Sequence, residues 1–576
     1  MSRPLKSYLL PLLLSVGLIV PCFWRPIVST ADFQSHLYNA WLAQLIDSGR
    51  APGLWIGAQW TNVATDLLLD FFVKRWGIAA AERAVASIAV LVFFWGAFTF
   101  ISVVARTSSR RLAPWLAIIS YGYVFQLGLL NFYLSSGLVF WLLAITWDDG
   151  LKRFVVAAAL LLLALLAHPI PPLWFAAVMA YREAARRMRP PLQGVLFLAG
   201  VIVLYVIRRY VIASNYQHDW DYGQLLSVTG ADQTLLYGWR YLPAAFAFLL
   251  FLAWFAVERG FDGLRRDWSG ILAQLFGLTA VAVVLIPSSF RVSPHGPWVG
   301  LFAERLSLYS VLLLLAFLAS QGVRKRHLVV GLLTAAYFFG VLYVDLGKAA
   351  RIEEKMEALV GTLAPNQRVV AYVNDLGTDR AQPTELDQVR QTFERWARHI
   401  PWINGILGYS RARISLRHLV GRACIGHCFN FMNYEPASGQ FRIHVSPGSP
   451  LVTSRIADAY SLEAGRYVVQ DSDPPLHAIY RCGPRTVDLC IRQLAPGQSA
   501  LSQSALSTTE IEGEPANVAS AWSGADRELK EGAGTSQCDA AIGYGGDDGA
   551  GGVAVGGDGD ARGALRSRCT VYRASE

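Results

Sequence analysis

Charged side chains are scarce in this chain of 576 residues: 16% are Asp, Glu, Lys or Arg, whereas 53% are hydrophobic. Soluble proteins carry about 25% charged residues, so the low charge excludes an ordinary soluble domain for most of the chain. The sequence also lacks a Gly-rich phosphate-binding loop of the Walker type, which argues against a nucleotide as cofactor or energy source. Over about the first 345 residues, long apolar runs alternate with short polar gaps, a pattern typical of membrane-spanning helices.

The arginine and lysine residues indicate the orientation of the chain in the membrane. They gather in alternate gaps between the apolar runs, for example at 106–111, 182–189, 259–266 and 324–326. Short basic loops stay in the cytoplasm, so the other gaps are predicted to face outward. Topology and contact with anionic membrane lipids therefore explain the net charge of +9, and nucleic acid is not expected as a partner.

The apolar runs predict an α-helical polytopic membrane protein with about eleven transmembrane helices. The first run follows a short basic start and no small-residue cleavage site follows it, so it is interpreted as an uncleaved span. An odd number of spans predicts a multi-pass protein of the inner (plasma) membrane, with the N-terminus cytoplasmic and everything beyond Asp345 outside. The expected spans lie near 7–23, 85–105, 112–128, 132–147, 154–168, 171–181, 192–208, 243–257, 269–287, 307–322 and 328–346.

Composition divides the chain into three parts. Residues 1–346 are the predicted membrane domain, and 347–496 have the composition of a soluble extracytoplasmic domain of α+β or mostly β class. Residues 497–576 are rich in Gly, Ala and Ser, and such a tail is predicted to be disordered because it cannot bury enough apolar surface. In the soluble domain we expect a helix over 351–363 and strands over 367–373, 440–445, 466–470 and 477–481.

Four of the seven cysteines lie in the predicted soluble domain. Cys424 and Cys428 are four residues apart, and Cys482 and Cys490 are eight residues apart. Two disulfides in an oxidising compartment are the favoured interpretation, which agrees with the outward location given by the charge pattern. A structural zinc site is the alternative, although these spacings fit the usual zinc patterns poorly.

The first outward gap contains the most specific stretch of the sequence. Residues 30–48 predict an amphipathic helix that lies along the membrane surface. Asp32, His36 and Asn39 fall on its polar face. The opposite face carries apolar residues four positions apart, namely Leu37, Trp41 and Leu45.

An acid just outside the first span, followed by a surface helix, resembles the C-type glycosyltransferase superfamily. The resemblance covers the topology of residues 1–346 and Asp32; Phe33 stands where the commonest family pattern has a second acid. It implies a polyprenyl-phosphate sugar as donor and an envelope glycan, lipid or protein as acceptor. It also implies that Asp32 activates the acceptor or positions a divalent cation, with His36 orienting it, binding the metal or bonding the acceptor.

Other residues in the outward gaps are candidates for binding the donor. Arg305, beside Glu304, suits a lipid-phosphate clamp because a guanidinium can bond two oxygens, and Arg240 is a second candidate. His168 is a polar residue at the edge of a very apolar run. The acids Asp219 and Asp221 are weaker candidates for holding a divalent cation, which prefers oxygen ligands.

Each candidate has a structural alternative. Asp32 can stabilise the first turn of a helix, and His36 can be a structural residue of the membrane interface rather than a metal ligand. Glu304 and Arg305 can form an interfacial ion pair, and the acids at 219–221 can belong to a solvated loop. Asn131 can simply satisfy backbone groups in the turn between two spans.

Three classes of function remain open at this stage. The first is a glycosyltransferase acting on the outer face of the membrane. The second is a transporter or flippase of a lipid-linked sugar, although the sequence shows no internal repeat of the kind common in transporters. The third is a non-enzymatic envelope protein whose exported domain binds a partner.

Overall fold

A computed structural model of the chain places most of the first 365 residues and several segments of the C-terminal part. The described residues are 3–51, 54–56, 60–106, 109–148, 154–212, 216–220, 224–267, 270–291, 298–365, 367–372, 416–435, 440–443, 452–454, 462–463, 466–467, 475–482 and 487–494. The predicted tail at 497–576 and Asp221 lie outside them.

The described part of the chain is mostly helical, as the sequence predicted. Short 3-10 turns at Val20–Phe23, Ser109–Leu112, Ala231–Thr234 and Trp239–Tyr241 and a π-helical turn at Ile207–Ile212 connect or extend the α-helices. The α-helices are α1 (Arg3–Ile19), α2 (Phe33–Asp47), α3 (Ala64–Trp76), α4 (Ile78–Ala105), α5 (Ala113–Ser120), α6 (Tyr123–Gln126), α7 (Leu130–Thr146), α8 (Phe154–Ala167), α9 (Ile170–Arg186), α10 (Pro190–Val206), α11 (Gln224–Ser227), α12 (Leu242–Asp267), α13 (Ile271–Leu285), α14 (Phe302–Ser320), α15 (Lys325–Val360) and α16 (Leu416–Ala423).

Five helices in the described residues are long and apolar enough to cross a membrane: 78–105, 190–210, 242–260, 302–320 and 325–360. Four further apolar helices, within 11–23, 130–146, 154–167 and 271–285, are shorter. The membrane character predicted from the sequence is therefore supported, while the expected number of about eleven spans is not confirmed. The 190–210 helix has none of its apolar window buried inside the protein, which is the behaviour of a lipid-facing surface.

Two segments differ from the sequence-based expectation. The span expected over 112–128 is two short helices, α5 and α6, separated by a turn at Tyr121 and Gly122. A side chain at Gly122 would come within 2.8 Å of the Gln233 carbonyl oxygen, so the break lets another chain segment approach closely. The second difference is α3, which the apolar pattern did not predict because Asp66, Asp70, Lys74 and Arg75 interrupt its apolar residues.

The basic loops lie together at one end of the helices. The Arg111 guanidinium donates to the Val323 carbonyl, and Arg324 lies 3.5 Å from the Glu258 carboxylate. These contacts join the loops that follow α4 and α14 to each other and to α12.

Helices α4 and α14 end at the basic loops and α15 begins there. Helix α7 runs parallel to α4, because Phe93 lies against Tyr133 and Phe100 against Trp147. The starts of α4, α7 and α14 and the end of α15 therefore share the opposite end.

The strands in the described residues are β1 (Leu54–Ile56), β2 (Gln217–Asp219), β3 (Ser289–Arg291), β4 (Trp298–Gly300), β5 (Gln367–Tyr372), β6 (Cys428–Glu435), β7 (Gln440–Ile443), β8 (Val452–Ser454), β9 (Leu462–Glu463), β10 (Arg466–Tyr467), β11 (Leu476–Arg481) and β12 (Leu489–Leu494). The C-terminal part contains a mixed sheet with the strand order β12-β11-β5-β6-β7. Strand β5 pairs in parallel with both β11 and β6, and the outer pairs are antiparallel. Helix α16 packs against β5 and β6, which agrees with the predicted α+β class.

The predicted membrane domain and the C-terminal sheet are in direct contact, whereas composition suggested two separate domains. The span expected to end at 346 and the helix expected over 351–363 are one continuous helix, α15. Strand β1 of the first loop pairs antiparallel with β8, so the backbone of Trp55 lies opposite that of Thr453. Helix α16 also packs on α2 and α15. The composition change near residue 346 therefore does not mark a flexible linker.

Both predicted cysteine pairs are at disulfide distance. Cys424 and Cys428 have Cα atoms 4.8 Å apart and close the turn between α16 and β6. Cys482 and Cys490 have Cα atoms 5.8 Å apart and join the neighbouring strands β11 and β12. Each disulfide thus fixes the local connection between two elements of the sheet domain.

The disulfides can be counted on the full-length protein. Alkylation of the unfolded, unreduced chain should leave four cysteines unmodified that react after reduction. Trypsin cleaves after Arg481 and Arg485, so Cys482 and Cys490 should be recovered as two peptides joined by one disulfide. Recovery of all four thiols free from cells lysed under alkylating conditions would contradict an oxidising compartment.

The predicted orientation can be tested by labelling engineered cysteines in intact cells. We expect Thr362→Cys, just beyond α15, to react with a membrane-impermeant maleimide, because the sequence places it outside. Lys325→Cys, at the other end of the same helix, is the matched control and should react only after the membrane is permeabilised. Both changes are made with Cys538 and Cys569 replaced by Ser, and the reverse labelling pattern would overturn the orientation.

Candidate functional site

Helix α2 begins directly after Asp32 and is almost completely buried. The sequence predicted a helix lying on the membrane surface, whereas α2 packs against α3, α4 and α16 and is covered on both faces. His36 and Asn39 are therefore 3% and 1% exposed rather than solvent-facing. The prediction of the helix was correct in its extent, and the expected exposure of its polar face was wrong.

His36 lies between two carboxylates. Its Nδ1 atom is 2.8 Å from Asp66 Oδ1, and its Nε2 atom is 3.4 Å from Asp32 Oδ2. Burial alone would lower the pKa of His36, but the two carboxylates outweigh it and raise the pKa from its usual 6.5 to about 10. His36 is therefore an imidazolium at neutral pH, and both of its nitrogens donate to acids.

Asp66 was not recognised in the sequence, and it is the deepest acid of this arrangement. Asn131 Nδ2 donates to Asp66 Oδ2 at 3.2 Å and to the Asn62 carbonyl at 3.0 Å. The Thr65 amide donates to Asn131 Oδ1 at 2.8 Å. Asn131 therefore satisfies turn backbone, as expected, and also orients Asp66. The signal in the sequence was an acid in the first turn of a helix that follows an outward loop.

Asp32 is the accessible end of the Asp66–His36–Asp32 chain. Its side chain is 19% exposed, compared with 1% for Asp66. Asp32 occupies the N-cap position of α2, but its carboxylate makes no capping hydrogen bond to the helix. Its amide donates to the Leu127 carbonyl at 3.0 Å, and a side chain at Gly128 would collide with the Asp32 backbone. This close backbone contact fixes Asp32 independently of a capping role.

Arg305, at the start of α14, is the cation of the site. It interacts electrostatically with Asp32 and Glu304. Its guanidinium carbon lies 5.4 Å from the ring centre of Phe132 and 5.9 Å from that of Phe302. The buried Nε atom of Arg305 has no hydrogen-bond partner in the described structure. The guanidinium thus retains donor capacity for an anionic ligand.

His168, between α8 and α9, is a neutral neighbour of Arg305. Its Nδ1 accepts the Ile170 amide at 3.2 Å, which places the proton on Nε2. Burial and the positive charge of Arg305 lower the pKa of His168 from 6.5 to about 3. Its ring meets Phe132 edge-on with centroids 5.4 Å apart. His168 can therefore donate one hydrogen bond without carrying charge.

Aromatic rings join the helices that hold His168 and Arg305. Trp174 stacks on Tyr309 with centroids 4.1 Å apart and an interplanar angle of 12°. The Tyr309 hydroxyl is 2.9 Å from Ser136 Oγ. These contacts join α7, α9 and α14, which carry or flank Asn131, His168 and Arg305.

The remaining predicted candidates lie elsewhere or are already engaged. Arg240 forms an ion pair with Asp345 on α15, so it is not a free clamp for a phosphate. Glu304 is buried, and its backbone carbonyl accepts from Gln233 Nε2 at 3.0 Å. Asp219 lies in the exposed strand β2, whose partner strand begins at Ser289.

The candidate site around Asp32 is not arranged as a metal centre of His, Cys, Asp or Glu ligands. Within the described ranges there is no group of three or more His, Cys, Asp or Glu arranged to hold an ion. The Asp66–His36–Asp32 chain is instead held together by its own hydrogen bonds and opposite charges.

Comparisons with known proteins do not assign this chain to a family. No family model, curated protein or solved structure matches it. The function is therefore argued from the arrangement of Asp32, His36, Asp66, His168 and Arg305.

The charge on His36 predicts a pH-dependent contribution to stability. A pKa raised to about 10 means that the contribution is complete below about pH 6.5 and is lost as pH rises through about 10. In detergent, the apparent Tm of the wild type should exceed that of His36→Gln most at pH 6.5, and the difference should shrink steadily towards pH 10. A difference that grows with pH would show that His36 is buried in its neutral form.

Proposed function

We propose that this protein is a membrane glycosyltransferase that moves a sugar from a polyprenyl-phosphate donor to an envelope acceptor on the outer face of the plasma membrane. The observation that carries the proposal is the partly exposed Asp32 carboxylate, held by His36 and within electrostatic range of the incompletely bonded Arg305 guanidinium. Transfer from a sugar phosphate requires a base and an anion-binding cation in the same site.

Asp32 is the proposed general base. It accepts the proton of an acceptor hydroxyl while that oxygen forms a bond to the anomeric carbon of the sugar. The bond between the anomeric carbon and the phosphate oxygen breaks, and its electron pair leaves with the lipid phosphate. No further reactant is needed, because the sugar phosphate supplies the driving force.

Arg305 and His168 are the proposed contacts for the leaving phosphate. The guanidinium can bond two phosphate oxygens, and the neutral imidazole offers the Nε2 proton as one additional donor. Both groups are held against Phe132, so their positions are set before a ligand arrives. Fixed donors stabilise developing charge without reorganisation during the reaction.

His36 and Asp66 are proposed positioning residues. His36 is 3% exposed and lies behind Asp32, so it orients the carboxylate rather than touching the substrate. The positive charge of His36 attracts the Asp32 carboxylate and holds it in place. A carboxylate base suits an acceptor hydroxyl that becomes acidic only as its bond to the sugar forms.

The position of the site favours a donor delivered from the lipid. The site residues come from the starts of α2, α3, α7 and α14 and the end of α8, at the end of the helices opposite the basic loops. Apolar side chains such as Val195 and Leu198 on α10 are 62% and 57% exposed. A polyprenyl chain can remain in the hydrocarbon layer while its phosphate reaches the helix ends.

Replacement of Asp32 by Asn tests the proposal directly. The change keeps size and removes the base, so the rate of transfer should fall by about 10²–10⁴-fold. One specific sugar should then disappear from envelope lipids, polysaccharides or proteins of cells that express the variant at wild-type level.

Asp47→Asn is the matched control, because Asp47 is an exposed acid at the other end of the same helix. It should leave the envelope glycans unchanged. If Asp32→Asn also leaves them unchanged and still rescues a deletion strain, the glycosyltransferase proposal fails. The functions then favoured are transport of a lipid-linked sugar or binding of an envelope partner.

A further inference from the structure

Two glutamates lie close together in the interior beneath the start of α2. Glu82 on α4 is 0% exposed, and Glu353 on α15 is 1% exposed. The two carboxylates repel each other electrostatically. Two like charges buried together are unfavourable unless a positive charge compensates them.

The cations around this pair leave one negative charge uncompensated. Arg422 on α16 lies 3.7 Å from Glu82 Oε2 and 4.0 Å from the partly exposed Glu357. Arg83 also acts on Glu82 electrostatically, although its guanidinium donates to the Pro26 carbonyl at 3.0 Å. Three carboxylates therefore face two guanidinium groups.

Three oxygens of this cluster accept no hydrogen bond. Glu82 Oε1 accepts from the Val28 amide at 3.1 Å and from Gln34 Nε2 at 3.0 Å, while Glu82 Oε2 accepts none. Glu353 Oε2 accepts from the Ser29 hydroxyl at 3.0 Å, while Glu353 Oε1 accepts none. The third oxygen is Gln34 Oε1.

The orientation of the Gln34 amide makes this third oxygen informative. Its nitrogen donates to the Val28 carbonyl at 2.7 Å as well as to Glu82 Oε1 at 3.0 Å. A flipped amide would bring its oxygen against two acceptors, so the observed orientation is fixed. Gln34 is 0% exposed, so the oxygen of the same amide that bonds Glu82 is buried and has no donor.

We propose that Glu82 Oε2, Glu353 Oε1 and Gln34 Oε1 bind a monovalent metal cation of the Na⁺ type. Carboxylate and amide oxygens are the ligands that hard cations prefer. A single positive charge neutralises the cluster, whereas a divalent ion would leave it positive. One cation also satisfies all three oxygens, whereas a proton shared between the two carboxylates would leave Gln34 Oε1 without a partner.

The cation would secure the start of α2. Gln34 lies between Asp32 and His36 in the sequence, and Val28 and Ser29 lie in the segment leading to this helix. The site thus joins that segment to α4 and α15, and Arg422 connects it to the C-terminal sheet domain. This role is separate from sugar transfer and can be tested without an activity assay.

The test is thermal unfolding of the full-length protein in detergent, in NaCl or in choline chloride at equal concentration and pH. Na⁺ should raise the apparent Tm with a saturable dependence, by roughly 2–4 °C once the site is filled. Glu353→Gln removes one negative charge and replaces a carboxylate ligand by an amide, which binds a cation more weakly. The Tm of this variant should therefore be the same in the two salts.

Glu354→Gln is the matched control, because Glu354 is the next residue of the same helix, is exposed and is not part of the charge cluster. It should retain the saturable response to Na⁺. Broadening of the ²³Na resonance by the wild type and by Glu354→Gln provides a second measurement if Glu353→Gln does not fold. Equal Tm values of the wild type in the two salts, or a Na⁺ response retained by Glu353→Gln, would overturn the proposal.

Discussion

The candidate site depends on the interaction of the buried His36 imidazolium with two carboxylates. The imidazolium lies between Asp66 and Asp32, and removing it would leave two acids close together with no cation between them. Such a loss is costly in a buried environment because an uncompensated charge has neither water nor a partner. Through Asn131, which bonds Asp66, the same interaction connects α2, α3 and α7. The position of Asp32 is thus set by three helices.

Backbone hydrogen bonds also hold the start of α2 in place. The amides of Ala31 and Asp32 donate to the carbonyls of Gln126 and Leu127, each at 3.0 Å. These carbonyls lie at the C-terminal end of α6, where the last carbonyls of a helix have no partner within the helix. The end of α6 therefore supplies the acceptors that hold the start of α2.

Local patterns made part of this structure predictable. The extent of α2, both cysteine pairs and the positions of β5, β7, β10 and β11 follow from local patterns along the chain. Asp66, Asn131 and the Glu82–Arg422 contact depend on segments far apart in sequence, which periodicity does not connect. The sequence also did not predict that α2 is buried in the protein. Leu37 and its neighbours on the apolar face suit a membrane surface and a protein interior equally. The covering helix α16 lies about 380 residues further along the chain.

Two clusters of charged side chains contact the start of α2, one formed by Asp32, His36 and Asp66 and the other by Glu82, Glu353 and Arg422. They differ in the charge that each must keep. On one side, the proposed role of Asp32 requires a negative charge that a substrate can reach, and the positive charge of His36 favours it. On the other side, Gln34 bonds Glu82, which lies in a group of buried glutamates. Asp32, Gln34 and His36 lie within about one turn at the start of the same helix, so both clusters hold the same short segment. The placement of a basic residue of the C-terminal domain, Arg422, at this point therefore makes that domain part of the support for the site, and not only an attached module.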